Sequence, residues 1–230
     1  MDVEEWKHAL ETAGLAEQYQ DVIHGFQFGF NQGIQNHNLG PSIPQFTPPN
    51  HKSALLAQEK IESSIEKEIE ASRMSSSEQQ QLDKLDYATM WDNFECVSKF
   101  LRNQEKPILL ALFDWEKAYQ QIPTAKSQWA YLMVRDFNWG ILIDTRIAFG
   151  GVARCCSFGR PADAWKDLML HKFDLITVFR WVDNNLFVKH RDSAVTMEQI
   201  VVQSEKLGVK PNSTKYSPFT LQAIPILPQQ

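Results

Sequence analysis

Apolar residues recur at helical spacing near the start of the chain. They follow one another at intervals of three to five positions: Trp6, Leu10, Leu15, Tyr19 and Val22. Gly14 interrupts this series, so the pattern predicts one broken or two short amphipathic helices. The run Gly25–Gly33 then alternates glycine with phenylalanine, and because its flanks are polar and no strand precedes it, we expect an aromatic turn.

A second helical period covers residues 53–72, after a proline-rich segment over 36–52 that predicts an extended loop. Its apolar stripe is predicted to face inward and consists of Leu55, Ile61, Ile65 and Ile69. Its acidic side chains are predicted to face solvent: Glu59, Glu62, Glu66 and Glu70. The polar run 75–81 that follows is typical of a linker and is the best internal boundary.

A further helix is expected over 88–102. After it, the helical spacing of apolar residues gives way to short apolar runs separated by turns. Ile108–Phe113 predicts a buried strand that ends at Asp114, and a short helix is expected from Trp115. A hairpin is predicted for 131–134 and 141–143, and strands for 175–182 and 186–188 around a turn at 183–185. Helices are expected over 153–170 and over 194–207, the latter ending at Gly208.

These elements predict an α+β fold in which a small antiparallel sheet is backed by helices, preceded by a mostly helical N-terminal region. The predicted divisions are a helical region with a proline-rich loop at 1–73, a polar linker at 74–84, the α+β domain at 85–220 and a tail at 221–230.

Composition indicates a globular protein that does not enter membranes. Hydrophobic residues make up 43% of the 230 positions and charged residues 22%, which is enough apolar material for a core. No apolar run approaches the roughly 18 residues that span a bilayer, and the N-terminus lacks the pattern of a secretory signal. We therefore expect an intracellular protein, in the cytoplasm or nucleus, with reduced cysteines.

Charge is unevenly distributed along the chain, although the net charge is only −5. Residues 1–100 carry 7 basic and 16 acidic side chains, whereas residues 126–191 carry 10 basic and 6 acidic ones. A polyanion would dock on this second segment, which we call the basic stretch. The alternative is an ordinary solvated surface of mixed charge. The acidic N-terminal helices are candidates for binding a protein partner.

Two aspartates follow apolar strands, and this position fixes a carboxylate rigidly at the edge of a core. Asp114 and Asp183 are separated by a hairpin and a helix, so they could converge to hold two Mg²⁺ ions for nucleotidyl transfer. The alternatives are purely structural. Asp114 could cap the helix that begins at Trp115, and residues 183–185 suit a hairpin turn.

Several motifs, in one order, resemble the palm of a retroelement reverse transcriptase over about residues 82–219. The run Phe113–Pro123 resembles the motif D-x-x-x-A-[YF]-x-x-[IV]-P, in which the aspartate binds metal and the aromatic residue excludes ribonucleotides. Asp114 and Tyr119 occupy those positions. Residues 148–151 resemble the L-P-[QF]-G element, which gives Phe149 and Gly150 a nucleotide-binding role.

The later motifs of the family follow at matching spacings. Residues 180–184 resemble the [YF]-x-D-D hairpin, which makes Asp183 and Asn184 metal ligands by resemblance. Leu207-Gly208 followed by Lys215 resembles the motif whose lysine protonates the leaving pyrophosphate. The Gln128-Trp129 pair is similar to elements of the subfamily that encodes a tyrosine recombinase.

The resemblance implies an RNA-directed DNA polymerase that uses two Mg²⁺ ions, an RNA template, a DNA primer and deoxynucleoside triphosphates. Arg146, Arg154 and Arg160 of the basic stretch are the predicted phosphate contacts for the nucleic acid.

Four departures from the family pattern predict a weak or inactive enzyme. Asn184 replaces the second aspartate of the hairpin and removes a negative charge near the metals. The basic fingertip segment expected after Arg73 is missing, and Arg154-Cys155-Cys156 is bulky where the family carries small residues. No primer grip, thumb or RNase H follows the palm motifs before Gln230. The competing hypothesis is a non-enzymatic remnant that uses the palm as a scaffold or nucleic-acid-binding surface.

Overall fold

The computed structural model describes residues 1–34, 52–71, 74–75, 92–138, 140–147 and 154–221. The helices in these ranges are α1 (Val3–Thr12), α2 (Gln20–Phe28), α3 (Lys52–Leu56), α4 (Gln58–Glu70), α5 (Phe94–Arg102), α6 (Arg154–Lys172) and α7 (Met197–Lys206). The strands are β1 (Met74–Ser75), β2 (Ile108–Asp114), β3 (Met133–Arg135), β4 (Ile141–Asp144), β5 (Thr177–Trp181), β6 (Asn184–His190) and β7 (Thr220–Leu221). Two 3₁₀ helices cover Ala118–Gln121 and Lys126–Tyr131. None of the described helices has the length and apolar character needed to cross a membrane.

The central sheet is antiparallel and has the strand order β5-β6-β2-β7. β2 lies inside it because its continuous apolar run can be covered on both faces. β6 pairs with β2 along its whole length, from Ile108 opposite His190 to Asp114 opposite Asn184. A smaller antiparallel sheet has the order β1-β4-β3. This mixture of helices and small antiparallel sheets is compatible with the predicted α+β class.

The β5–β6 hairpin turns earlier than the sequence indicated. We expected the turn at residues 183–185, but Trp181 pairs with Asn184, so only Val182 and Asp183 form the turn. The ladder extends this far because the two asparagines after the turn pair with the end of β2. Val182 has a φ of 57°, which β-branched residues rarely adopt. The turn that holds Asp183 is therefore strained.

Helix boundaries also differ from the apolar pattern where side chains cap them. The helix expected from residue 194 begins only at Met197, because Thr196 and Gln199 form a capping box there. The helix expected from residue 88 begins at Phe94, after the N-cap Asn93, and residues 88–91 lie outside the described part. The short helix expected from Trp115 is the 3₁₀ helix Ala118–Gln121.

One face of the central sheet packs against helices from both ends of the sequence. The shared core contains Phe113 and Phe187 of the sheet, Trp165 of α6 and Trp6 of α1. The Trp6 indole donates a hydrogen bond of 2.8 Å to the carbonyl of Leu207, just after α7. Helices α1 and α2 thus belong to the same hydrophobic core as the sheet.

The opposite face of the sheet is covered over only part of its length. α5 packs there on a small cluster of Ile108, Leu110 and Val188, and the Phe100 and Phe179 rings meet edge to face at 5.1 Å. Nearer the end that holds Asp114, Leu112 is 51% exposed and Trp181 is 54% exposed. These side chains leave an apolar surface beside the two aspartates.

Candidate active site

Asp114 and Asp183 lie beside each other at one end of the central sheet, which we call the carboxylate end. Asp114 is the last residue of β2 and stands opposite Asn184, the first residue of β6. Asp183 comes directly before Asn184 and lies in the hairpin turn. The Trp115 amide, directly after Asp114, donates a hydrogen bond of 3.1 Å to the Asp183 carbonyl. The register of the β2–β6 ladder therefore brings together two residues that are far apart in sequence.

The two carboxylates are in different surroundings and influence each other. Asp114 is 3% exposed, and the Lys215 ammonium is 3.4 Å from its Oδ2. Partial burial raises the pKa of Asp183, the negative charge of Asp114 raises it further, and Lys215 opposes the rise. Burial is the main cause of this raised pKa, and a divalent cation between the two carboxylates would offset the part that comes from the charge of Asp114.

Lys215 reaches this end because the chain after α7 runs alongside the residues that follow β2. Gly208 adopts a φ of 75° and ends the helix, as the sequence predicts. The Glu116 amide donates 2.9 Å to the Lys210 carbonyl, and the Asn212 amide donates 2.8 Å to the Asp114 carbonyl. The predicted spacing between Gly208 and Lys215 thus places the ammonium next to Asp114.

Asn184 lies at the same end but points its amide nitrogen at Asp183. Its Nδ2 donates a hydrogen bond of 3.1 Å to the Asp183 Oδ1, and the residue is exposed. An aspartate at this position would instead add a second negative charge beside Asp183. The geometry is thus that of a site with fewer negative charges than the family motif implies.

Tyr119 follows Asp114 in a tightly wound segment. Lys117 has a φ of 47°, and the 3₁₀ helix after it turns Tyr119 toward α6. The Tyr119 ring is 8% exposed and lies 5.2 Å from the ring of Phe158, centroid to centroid. The residue predicted to exclude ribonucleotides is therefore held by aromatic packing, close in sequence to Asp114.

Other predicted site residues fall on parts of the chain that are described incompletely or not at all. Phe149 and Gly150 lie outside the described residues. α6 begins at Arg154, whose side chain is likewise outside the description. Arg146 is half-buried, bridges to Pro123 through its backbone and donates its amide to Asp144 Oδ1 at 3.0 Å. The nucleotide-binding roles of Phe149 and Gly150 and the nucleic-acid-binding roles of Arg146 and Arg154 stay predictions.

Arg160 uses its Nε and Nη2 groups in contacts within the fold. Its guanidinium pairs with Asp21 at 2.7 and 2.8 Å and donates 2.8 Å to the Gln18 carbonyl. It also lies 4.8 Å from the centroid of the Tyr19 ring. These contacts attach the N-terminal helices to α6, and they do not support the predicted role of Arg160 as a phosphate contact.

Much of the basic stretch is committed in the same way. Arg180 is 3% exposed and pairs with Asp163, and the Lys166 ammonium is 3.3 Å from Asp92. Lys189 is buried and donates to the carbonyls of Ser193 and Val195. These residues of the basic stretch thus use their positive charge in intramolecular contacts, and the docking of a polyanion on the stretch stays a prediction.

Glu68 is a residue at this site that sequence reasoning missed. It is 7% exposed, and its Oε1 is 2.7 Å from the Lys117 ammonium, three residues after Asp114. The sequence predicted one helix over residues 53–72 with an inward apolar stripe, and this stripe was partly wrong, since Leu55 of α3 is 53% exposed and Ile69 of α4 is 44% exposed. The packed face of α4 runs through Ile61, Ile65 and Glu68, an i, i+4, i+7 series that was visible in the sequence.

The carboxylate end offers few ligands to a cation. Among the described residues, no group of three or more His, Cys, Asp or Glu side chains is arranged to hold a metal ion. Asp114 and Asp183 supply two carboxylates, and Mg²⁺ is commonly held by one or two carboxylates together with water and substrate phosphates. The pair fits such a partly protein-bound ion, with Asn184 as a neutral neighbour.

Comparisons with known proteins give little beyond this geometry. No protein-family model matches the chain, and no curated protein sequence matches it. Among solved structures, it is similar to Prototype Foamy Virus Protease-Reverse Transcriptase, with 13% sequence identity and a TM-score of 0.47. The similarity covers 90% of this chain and 31% of the foamy virus chain, so this chain spans less than a third of that structure. At this level the similarity is too weak to support an argument about function.

Proposed function

We propose that this chain contains a reverse-transcriptase palm of retroelement origin whose nucleotidyl-transfer activity is weak or lost. The observation that carries the proposal is the assembly of Asp114, Asp183 and Lys215 at one end of the sheet. These three residues occur in the order and spacing of the family motifs that supply metal ligands and a proton donor. The neutral Asn184 beside them supports reduced activity.

Each residue would have a defined task in the reaction. Asp114 and Asp183 would hold two Mg²⁺ ions, which activate the attacking 3′-hydroxyl of a DNA primer and stabilise the triphosphate of a deoxynucleotide. The Lys215 side chain is 62% exposed, and its Nζ would give a proton to the leaving pyrophosphate. The Tyr119 ring would restrict the sugar to one without a 2′-hydroxyl. The template would be RNA, met in the cytoplasm or nucleus.

A second function is favoured by the state of the basic stretch. Arg160, Arg180 and Lys189 are engaged within the fold, which reduces the positive charge of the basic stretch that could contact phosphates. A non-enzymatic protein could use this stable core as a scaffold and bind a protein partner through its acidic N-terminal helices. This candidate requires neither metal binding nor incorporation of nucleotides.

A primer-extension assay with an RNA template, a DNA primer and Mg²⁺ tests the proposal. We expect little or no incorporation by the natural chain. In Asn184→Asp the rate should rise about tenfold, which corresponds to about 1.4 kcal/mol of extra electrostatic stabilisation from the restored charge near the metals. The matched control is Asn103→Asp, which changes the exposed C-cap of α5, shortly before β2 begins at Ile108 and therefore at the other end of that strand from Asp114.

Two results would contradict the proposal in different ways. Robust incorporation by the natural chain that disappears in Asp114→Asn would show an active enzyme rather than a weak one. Equal rates for Asn184→Asp and Asn103→Asp would remove the basis for a metal-dependent site at the carboxylate end.

A further inference from the structure

Asn185 is a polar side chain in the apolar face of the central sheet. It is 1% exposed and stands opposite Phe113, and its neighbour on the same face of β6 is Phe187. The Trp165 ring lies 4.8 Å from the Phe113 ring and 5.7 Å from the Phe187 ring, centroid to centroid. An apolar residue would suit this environment, so the presence of an amide needs a specific reason.

The two amide hydrogens of Asn185 are both used to hold the carboxylate end together. Nδ2 donates 3.0 Å to the carbonyl of Asp183 and 3.3 Å to the carbonyl of Phe113, the residue before Asp114. Both partners can only accept, so the amide nitrogen must face them. The Asp183 carbonyl also accepts from the Trp115 amide, which completes its two lone pairs.

The oxygen of the same amide accepts no hydrogen bond from the described residues. The Asn185 Oδ1 is buried and has no hydrogen-bond partner in the part of the chain that the structure describes. An unpaired buried acceptor lowers stability, and a leucine of similar size would avoid that cost. The side chain is therefore retained for its two donors and not for its contribution to the core.

The turn that these donors hold would not be rigid by itself. Val182, directly before Asp183, has the positive φ that β-branched residues disfavour. A strained two-residue turn persists when surrounding contacts fix it, and the bonds from Asn185 and Trp115 to the Asp183 carbonyl are such contacts. Asn185 thus connects the strained turn to the strand end that bears Asp114.

We propose that Asn185 is a positioning residue that fixes Asp183 relative to Asp114 and so sets the geometry of a divalent-cation site. The inference rests on the proposed function, because it assigns Asn185 to the same metal site. Asn185 would contact no metal itself and would act only through the backbone of the two aspartates.

Calorimetric titration of the full chain with Mn²⁺ tests this role when it is combined with thermal unfolding. In Asn185→Leu we expect the Mn²⁺ affinity to fall about tenfold, while the Tm stays within about 3 °C, because the lost hydrogen bonds are offset by removal of the unpaired oxygen. Thr124→Val is the matched control, since Thr124 is 2% exposed and its Oγ1 has no partner among the described residues. It should leave the Mn²⁺ affinity unchanged.

An Asn185→Leu affinity within twofold of the natural chain would overturn the inference. So would a loss of affinity that is matched by a large fall in Tm and repeated in Thr124→Val, because that outcome would indicate only a structural role. If the natural chain binds no Mn²⁺, or if Asp183→Asn binds it equally well, the proposed function fails instead.

Hydrogen exchange of the natural chain tests the positioning role of Asn185 in the absence of metal, and it does not require that a variant folds. In the natural chain, we expect the Asn185 side-chain amide protons and the Trp115 backbone amide to exchange as slowly as the β2–β6 ladder. Where Asn185→Leu folds, Trp115 exchange should be about tenfold faster, while exchange in α7 stays unchanged. Exchange of the Asn185 side-chain amide at the rate of a free asparagine would contradict the positioning role.

Discussion

The carboxylate end contains the residues that were predicted to bind metal, and the basic stretch contains those that were predicted to contact nucleic acid. The two sets have different surroundings in the fold. At the carboxylate end, Asp114, Asp183 and Lys215 come together although they are distant in sequence. In the basic stretch, Arg160 and Arg180 are bound by carboxylates of the same chain. The first set is brought together at one end of the sheet, whereas these two arginines of the second set pair with carboxylates of the same chain.

This difference separates two requirements of a polymerase. Holding a cation needs two carboxylates at a sheet end, which the β2–β6 register provides by itself. Holding a nucleic acid needs cations that are free to contact phosphates, and each intramolecular ion pair removes one. If the carboxylate end holds a cation as we propose, we expect the chain to bind Mg²⁺ better than a template and primer, because Arg160 and Arg180 are paired within the fold.

Replacing Arg180 gives the largest expected effect. Arg180→Met should lower the free energy of unfolding by about 2–3 kcal/mol, because it removes the buried guanidinium that pairs with Asp163. Urea denaturation measures this change. An unchanged free energy of unfolding would mean that the basic stretch is not structural at this position.

Arg160 and Arg191 are a matched pair of arginines in the basic stretch, and replacing each tests whether Arg160 stabilises the fold or contacts nucleic acid. Arg160→Gln should cost about 1 kcal/mol of stability through loss of the Asp21 ion pair, with no change in binding to an RNA–DNA hybrid. Arg191→Gln, at an exposed position, should leave stability within about 0.5 kcal/mol. Weaker hybrid binding by Arg160→Gln, with stability unchanged, would reverse our assignment of that residue.

The smallest expected effect concerns the pH dependence of stability at Asp183. Burial and the charge of Asp114 raise the pKa of Asp183 above its ordinary value of 3.8, so the folded chain binds a proton there more readily than the unfolded chain. The contribution of this group to stability therefore decreases as the pH rises through that raised pKa.

Asp183→Asn removes this penalty. The variant should be more stable than the natural chain near pH 7, and the difference should vanish near pH 3, where the carboxyl is protonated in both states. Chemical denaturation across this range measures the difference, with the exposed Asp192→Asn as control. A difference that grows toward acid would have the wrong sign for our account.

The strands and the aspartates at their ends could be predicted from sequence because local patterns determine them. The apolar run of β2 and the spacing from Gly208 to Lys215 are such patterns, and both lead to the observed carboxylate end. The turn position was wrong by two residues, since the ladder continues through two polar asparagines that no apolar pattern marks as strand.

Partners that are distant in sequence explain most of what the sequence did not reveal. Arg160 meets Asp21 across 139 positions, and Lys117 meets Glu68 across 49. A charge count along the chain assigns such side chains to the surface, because it contains no information on which carboxylate faces them. Asn185 was missed for a related reason, since it was counted as part of a turn rather than of β6.

The most direct test of the central claim is to locate bound Mn²⁺ by its paramagnetic broadening of backbone amide signals in the natural chain. We predict that the amides of Asp114, Trp115 and Asp183 broaden first, and that Asp114→Asn abolishes the effect. Broadening confined to the acidic helix α4, or broadening at the carboxylate end that persists in Asp114→Asn, would contradict the convergence of the two aspartates on a divalent cation.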